Sequence, residues 1–194
     1  MDGPIAGTQD KTIYDNFAHN AGETERFEYF DKFFYEHLVH NHETSKVPLD
    51  ADMIIGNDWQ TGGISALMKM MPIVGKYFGM NPQVAEKLYN IPVISIMHNA
   101  ELAGSINHSQ AKIFNILFGE HAEVIVKNAW MPKGANLPLE SLNGLMHGQN
   151  VNPQTMACAY SDVVIPVSEG YGKELYSYRE FGHANHDIFR MRAR

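Results

Sequence analysis

The chain has 194 residues, enough for a single domain with a substantial core, and its 44% apolar and 19% charged content is that of a globular protein. A net charge of −7 argues against a surface built for nucleic-acid phosphates. One cysteine, Cys158, rules out an internal disulfide, and no apolar run reaches the roughly eighteen residues that a membrane span needs.

Residues 1–22 are rich in Gly and Asn and read as irregular, with a short strand at Thr12 to Tyr14. The start "MDGPIAGTQDK" carries neither a secretory nor a transit pattern, so a cytoplasmic setting is expected, or a plastid if the source is a plant. From Glu25 to about Val39, Phe27, Phe30, Phe34 and Leu38 recur at three- and four-residue steps, which predicts a helix with an apolar stripe. "HNHETSKVPLD" then reads as a connection.

Met53, Ile54 and Ile55 form a short strand run that ends in Gly56-Asn57-Asp58-Trp59-Gln60. A helix opens near Thr61 and is expected to stop before Pro72. Asn81 followed by Pro82 marks another helix start, with the proline where a missing N–H costs nothing. "IPVISIM" is the clearest strand and runs into His98 and Asn99. Ser109 to about His121 has helical periodicity, "EVIVKNAW" reads as a short strand and Leu139 to Met146 as a helix. Asn152-Pro153 repeats the cap-plus-proline signature and opens a helix through Ala159. "SDVVIPVSEG" is a third short apolar run, and "GYGKELYSY" returns to helix.

Short apolar runs alternating with helices predict an α/β fold with a parallel sheet covered on both faces. In such a sheet the carboxyl ends of the strands share one edge, where ligands bind. Asp58-Trp59, His98-Asn99 and Ser168-Glu169 should therefore meet in space. An indole beside a carboxylate suits a sugar, because the ring covers the apolar face while the carboxylate accepts from hydroxyls. The competing reading makes Ser168 and Asn152 plain helix caps and His98 a structural histidine.

"GNDWQTGG", "PVISIMHNAELAG" and "VNPQTMACAYSDVVIPVSEGYGKEL" together resemble, in order and character, the glycogen and starch synthases. "ETERFEYFDKFFYEHL" resembles that family's Arg-Phe-x-x-Phe helix, and the similarity runs from about Ile13 to Tyr176. The resemblance implies a three-layer, parallel-sheet Rossmann-like domain, incomplete at both ends. Residues 1–194 would form the acceptor-side half of a two-domain retaining glycosyltransferase, with 177–194 approaching a second domain. It further implies transfer of glucose from ADP-glucose or UDP-glucose to an α-1,4-glucan, with no cofactor and no metal. His98 would act at the reacting centre, and Asp58, Trp59, Asn99 and Asn152 would contact substrate. The partners implied are the glucan and the nucleotide-sugar, with no nucleic acid and no membrane.

The chain departs from the family pattern at several points. No Lys-x-Gly-Gly loop precedes Thr12, Leu102 and Ala103 replace the usual Tyr and Gln, and Thr155 stands where a lysine is usual. The second domain, with its Arg/Lys pair and glutamate, lies outside these residues. The isolated chain is accordingly expected to be inactive in transfer and to self-associate through an open sheet edge. Alternatives are a non-catalytic glucan-binding or scaffold module and a sucrose-synthase-like transferase with another acceptor. The clusters His37/His40/His42 with Glu36, and His183/His186, are better explained as solvated histidines than as metal ligands.

Overall fold

A computed structural model describes residues 21–45, 51–74, 79–100, 110–119, 122, 153–178 and 186. The expected elements at 12–14, 123–130 and 139–146, the position of Asn152, and the segment Leu102 to Gly104 lie outside them.

The first helix, α1, spans Ala21–Thr44, longer at both ends than the aromatic stripe suggested. Its C-terminal turns close on local polar groups: Thr44 Oγ1 donates to His40 O at 2.7 Å and Ser45 N to Asn41 O at 3.0 Å. Of the expected stripe, Leu38 is buried and Phe27 half-buried, whereas Phe30 and Phe34 are exposed; the buried face carries Thr24, Glu28, Asp31 and Tyr35 beside Leu38. Both sets have helical spacing, and in a helix rich in aromatics on every side periodicity does not choose between them.

β1 (Ile54–Asn57) leads through one 3-10 turn, Trp59–Thr61, into α2 (Gly62–Val74). α2 passes through Pro72 instead of stopping before it, and ends two residues later. Residues 62–68 of α2 are buried throughout, because this helix packs against α1, against α3 (Pro82–Asn90), against α5 (Pro153–Tyr160) and against the sheet. α3 starts as expected: Asn81 Oδ1 accepts from Gln83 N at 2.9 Å with Pro82 in the first turn. β2 (Val93–Met97), α4 (Gln110–Phe118), β3 (Val163–Pro166) and α6 (Glu169–Ser177) complete the described elements.

The three strands are parallel in the order β1-β2-β3, with Ile54 opposite Val93 and Met97 opposite Pro166. This is the α/β parallel-sheet architecture expected, although among the described residues helices cover one face and the expected cover of the other is not seen. One sheet face, through Val93, Ser95 and Met97, is buried against α2 and the core. Ser65 of α2, Ser161 and Ser95 join their hydroxyls at 3.0 and 2.6 Å, and these small side chains let the helix lie close to β2. The opposite face leaves Ile55, Val163 and Ile165 exposed.

At the amino-terminal edge of the sheet, Lys69 Nζ lies 2.7 Å from Asp162 Oδ2. It also donates to Tyr89 O and Ile91 O at 3.0 and 3.1 Å, at the negative end of α3. Asp162 in turn accepts from Val93 N at 2.7 Å. One cation thus fastens α2, the end of α3 and the starts of β2 and β3.

Candidate functional site at the carboxyl edge of the sheet

The parallel register places the ends of all three strands on one edge. Asp58 N donates to Ile96 O at 2.7 Å and Val167 N to Met97 O at 3.2 Å, so the ladder continues past the last paired residues. Asp58, His98 and Ser168 follow directly.

Asp58 has φ 60° and ψ −168°. That conformation is essentially reserved for glycine, and Asp58 is the one non-glycine residue with positive φ among those described. Its carbonyl accepts from Thr61 N at 3.4 Å and Thr61 Oγ1 at 3.2 Å, which closes the turn. Gly56 makes room for that hydroxyl, since a Cβ there would stand 2.6 Å from Thr61 Oγ1. The half-buried carboxylate does not cap the turn in the usual way. Burial raises its pKa, opposed by N–H groups of His98, Trp59 and Asn99 and by the His98 charge. One oxygen, Oδ1, is buried without a hydrogen-bond partner.

Trp59 turns inward. Its side chain is 2% exposed and meets the edge of Phe27 at 5.3 Å between ring centroids, with an interplanar angle of 85°. The indole therefore presents no open face on which a pyranose could stack, and it anchors the turn to α1. A strand-end Trp next to Asp reads the same in sequence whether the ring points out or in.

His98 is exposed and Asn99 is half-buried. Their main chain is held from other elements: Gln154 Nε2 of α5 donates to Asn99 O at 3.1 Å, and Ala100 N donates to Tyr171 Oη of α6 at 2.7 Å. Gln154 is 1% exposed. It escaped the sequence reading, although a glutamine directly after a cap-plus-proline start, in a helix otherwise of small and apolar residues, was a signal. Thr155 is fully buried beside it. Ser168 is the N-cap of α6, accepting from Tyr171 N at 3.1 Å, which favours the capping role weighed for it. Glu169 is exposed and pairs with Lys173 at 2.6 Å within its own helix. A cleft of ≈ 480 Å³ runs along β3 and α6, lined by Val164, Pro166, Lys173 and Tyr176 among others, and so lies beside the third strand instead of over the strand tips.

A parallel sheet that presents an imidazole, a carboxylate and amides at its carboxyl edge defines an α/β ligand-binding domain of Rossmann-like type. The family model of the starch synthase catalytic domain matches residues 4–191. The chain belongs to that family, and with it to the glycosyltransferases. No curated protein and no solved structure matches the chain. Among the described residues no helix is long and apolar enough to cross a membrane.

Proposed function

We propose that this domain serves transfer of a glucosyl unit from ADP-glucose or UDP-glucose to an α-1,4-glucan, as the side that receives the acceptor. The observation that carries the reading is an exposed imidazole, His98, standing at the carboxyl edge of the sheet on main chain that α5 and α6 hold fixed. A transition state with oxocarbenium character gains most from polar groups that need no reorganisation when charge develops. His98 would supply such a group at the reacting centre. Asn99, Asn152 and the half-buried carboxylate of Asp58 are the polar groups proposed to meet sugar hydroxyls around it. No cofactor or metal is required for this chemistry, and the reading places the protein in the cytoplasm or a plastid.

The resemblance assigns the donor diphosphate to a second domain that residues 1–194 do not contain, so this chain alone is expected to bind glucan without transferring glucose. The second reading, a glucan-binding module, draws on Thr155, which is fully buried where the family pattern carries a lysine. Affinity electrophoresis through glycogen tests the glucan binding that both readings share, and a radiolabelled transfer assay with each nucleotide-sugar, run beside it, tests the expected inactivity of the isolated chain. Retardation that is lost in His98→Ala supports a site at the sheet edge. Equal mobility with and without glycogen overturns both readings, and transfer activity in the isolated chain overturns the expectation of inactivity.

A further inference from the structure

We propose that Asp58, Gln154 and Tyr171 are positioning residues that grip the main chain of residues 98–100 from three separate elements and so fix the direction in which His98 leaves the sheet. None of the three need touch a sugar to matter. The role for His98 rests on the proposed function, whereas the grip itself does not.

Asp58 is the informative member. Its backbone sits in a conformation that glycine adopts freely and other residues avoid, so an ordinary turn would have no use for a side chain there. Nor does the carboxylate act as a side-chain cap for the turn that follows. It lies near the end of the neighbouring strand, where the N–H groups of His98 and Asn99, together with that of the adjacent Trp59, act to lower its pKa. Meanwhile its own N–H is committed to Ile96 O of that same strand. Strain at Asp58 is thus tied to a contact with the segment that carries the imidazole.

The other two contacts complete the hold. Gln154 takes the carbonyl of Asn99, and Tyr171 takes the N–H of Ala100. The polar backbone groups of an exposed strand end would otherwise go to water, and the segment could then adopt several directions. Because α5 and α6 are both packed helices, with Gln154 and Leu175 buried, their side chains deliver these bonds from rigid supports.

Amide hydrogen exchange by NMR on the full 194-residue chain tests the grip without any assay of transfer. Asp58→Gly should leave thermal stability equal or higher, because it removes strain, yet exchange of the His98 and Asn99 amides should quicken at least about tenfold. Asp58→Asn keeps the size of the side chain and should quicken the same two amides to a smaller degree. Tyr171→Phe should quicken Ala100 alone. In the parent, the His98 and Asn99 amide resonances should shift together as the Asp58 carboxylate titrates, and that shift should vanish in Asp58→Asn. Unchanged exchange at 98 and 99 in both Asp58 variants would overturn the proposal, as would equal acceleration along all of β2, the mark of simple destabilisation. If glycogen fails to retard the parent chain, the glucan reading falls and the amide result still decides the grip. If glycogen binds and the amides do not respond, the grip alone falls.

Discussion

Phe27 and Trp59 meet edge to face, with ring centroids 5.3 Å apart, and this contact ties the first helix to the turn that carries Asp58. The indole is thereby part of the core. Truncation to Trp59→Ala should cost about 3–5 kcal/mol of unfolding free energy, the usual range for emptying a large aromatic site. Urea denaturation followed by circular dichroism measures it. A loss below about 1 kcal/mol would show that the ring is not packed as described.

Glu28 and Asp31 predict an unusual pH dependence. Both are buried on the face of α1 that meets the start of α2, and Asp31 Oδ2 accepts from Ile64 N at 3.1 Å. Burial, with the charge of Asp31 added, lifts Glu28 well above the ordinary carboxylate range. Burial also raises Asp31 to about 8, against the opposing N–H groups of Ile64 and Gly63. Folded-state values above the unfolded ones mean that the native state holds more protons. Stability is therefore full below the unfolded pKa of about 4 and declines as pH rises towards about 8. Glu28→Gln should raise the urea midpoint at pH 8, by the equivalent of at least about 1 kcal/mol, and change it little below about pH 4. A parent whose stability rises steadily over that interval would contradict the raised values.

Gly62 lies where α2 crosses α5, and a Cβ there would collide with the backbone of Pro153. Gly62→Ala should cost about 2 kcal/mol or more, since neither backbone can yield cheaply. It should also displace Gln154 and weaken its bond to Asn99. A thermal midpoint equal to that of the parent would show that the two helices can separate at no cost.

Lys69→Met removes the bond to Asp162 and two carbonyl partners while keeping the apolar stem. The Asp162 side chain is 47% exposed, which limits the loss to about 1–2 kcal/mol. Denaturant titration in low and high salt checks it; only part of the effect should be screened, because Lys69 itself is 12% exposed.

Self-association is expected through the sheet face on which, among the described residues, Ile55, Val163 and Ile165 are exposed. Ile165→Lys should lower the sedimentation-derived mass towards that of a monomer at tens of micromolar, as a rough working concentration. A parent chain that is already monomeric under those conditions would remove the prediction.

Strand and helix types were legible because they depend on local rules. The run of apolar residues before His98, the Asn81-Pro82 start and the cap at Ser168 each carry their signal within a few residues. Order along the chain also sufficed to place Asp58 and His98 on one edge, since parallel strands must end on the same side. Tertiary contacts decided the remainder. Whether Phe30 or Tyr35 of α1 faces the core depends on which neighbour packs against that helix, and both lie on acceptable helical stripes. The direction of Trp59 is set by Phe27, some thirty residues away along a chain whose spacing alone gives no such contact. The hold of Gln154 and Tyr171 on the segment after His98 joins groups 55 and 71 residues apart, a relation that arises only when three elements come together in space.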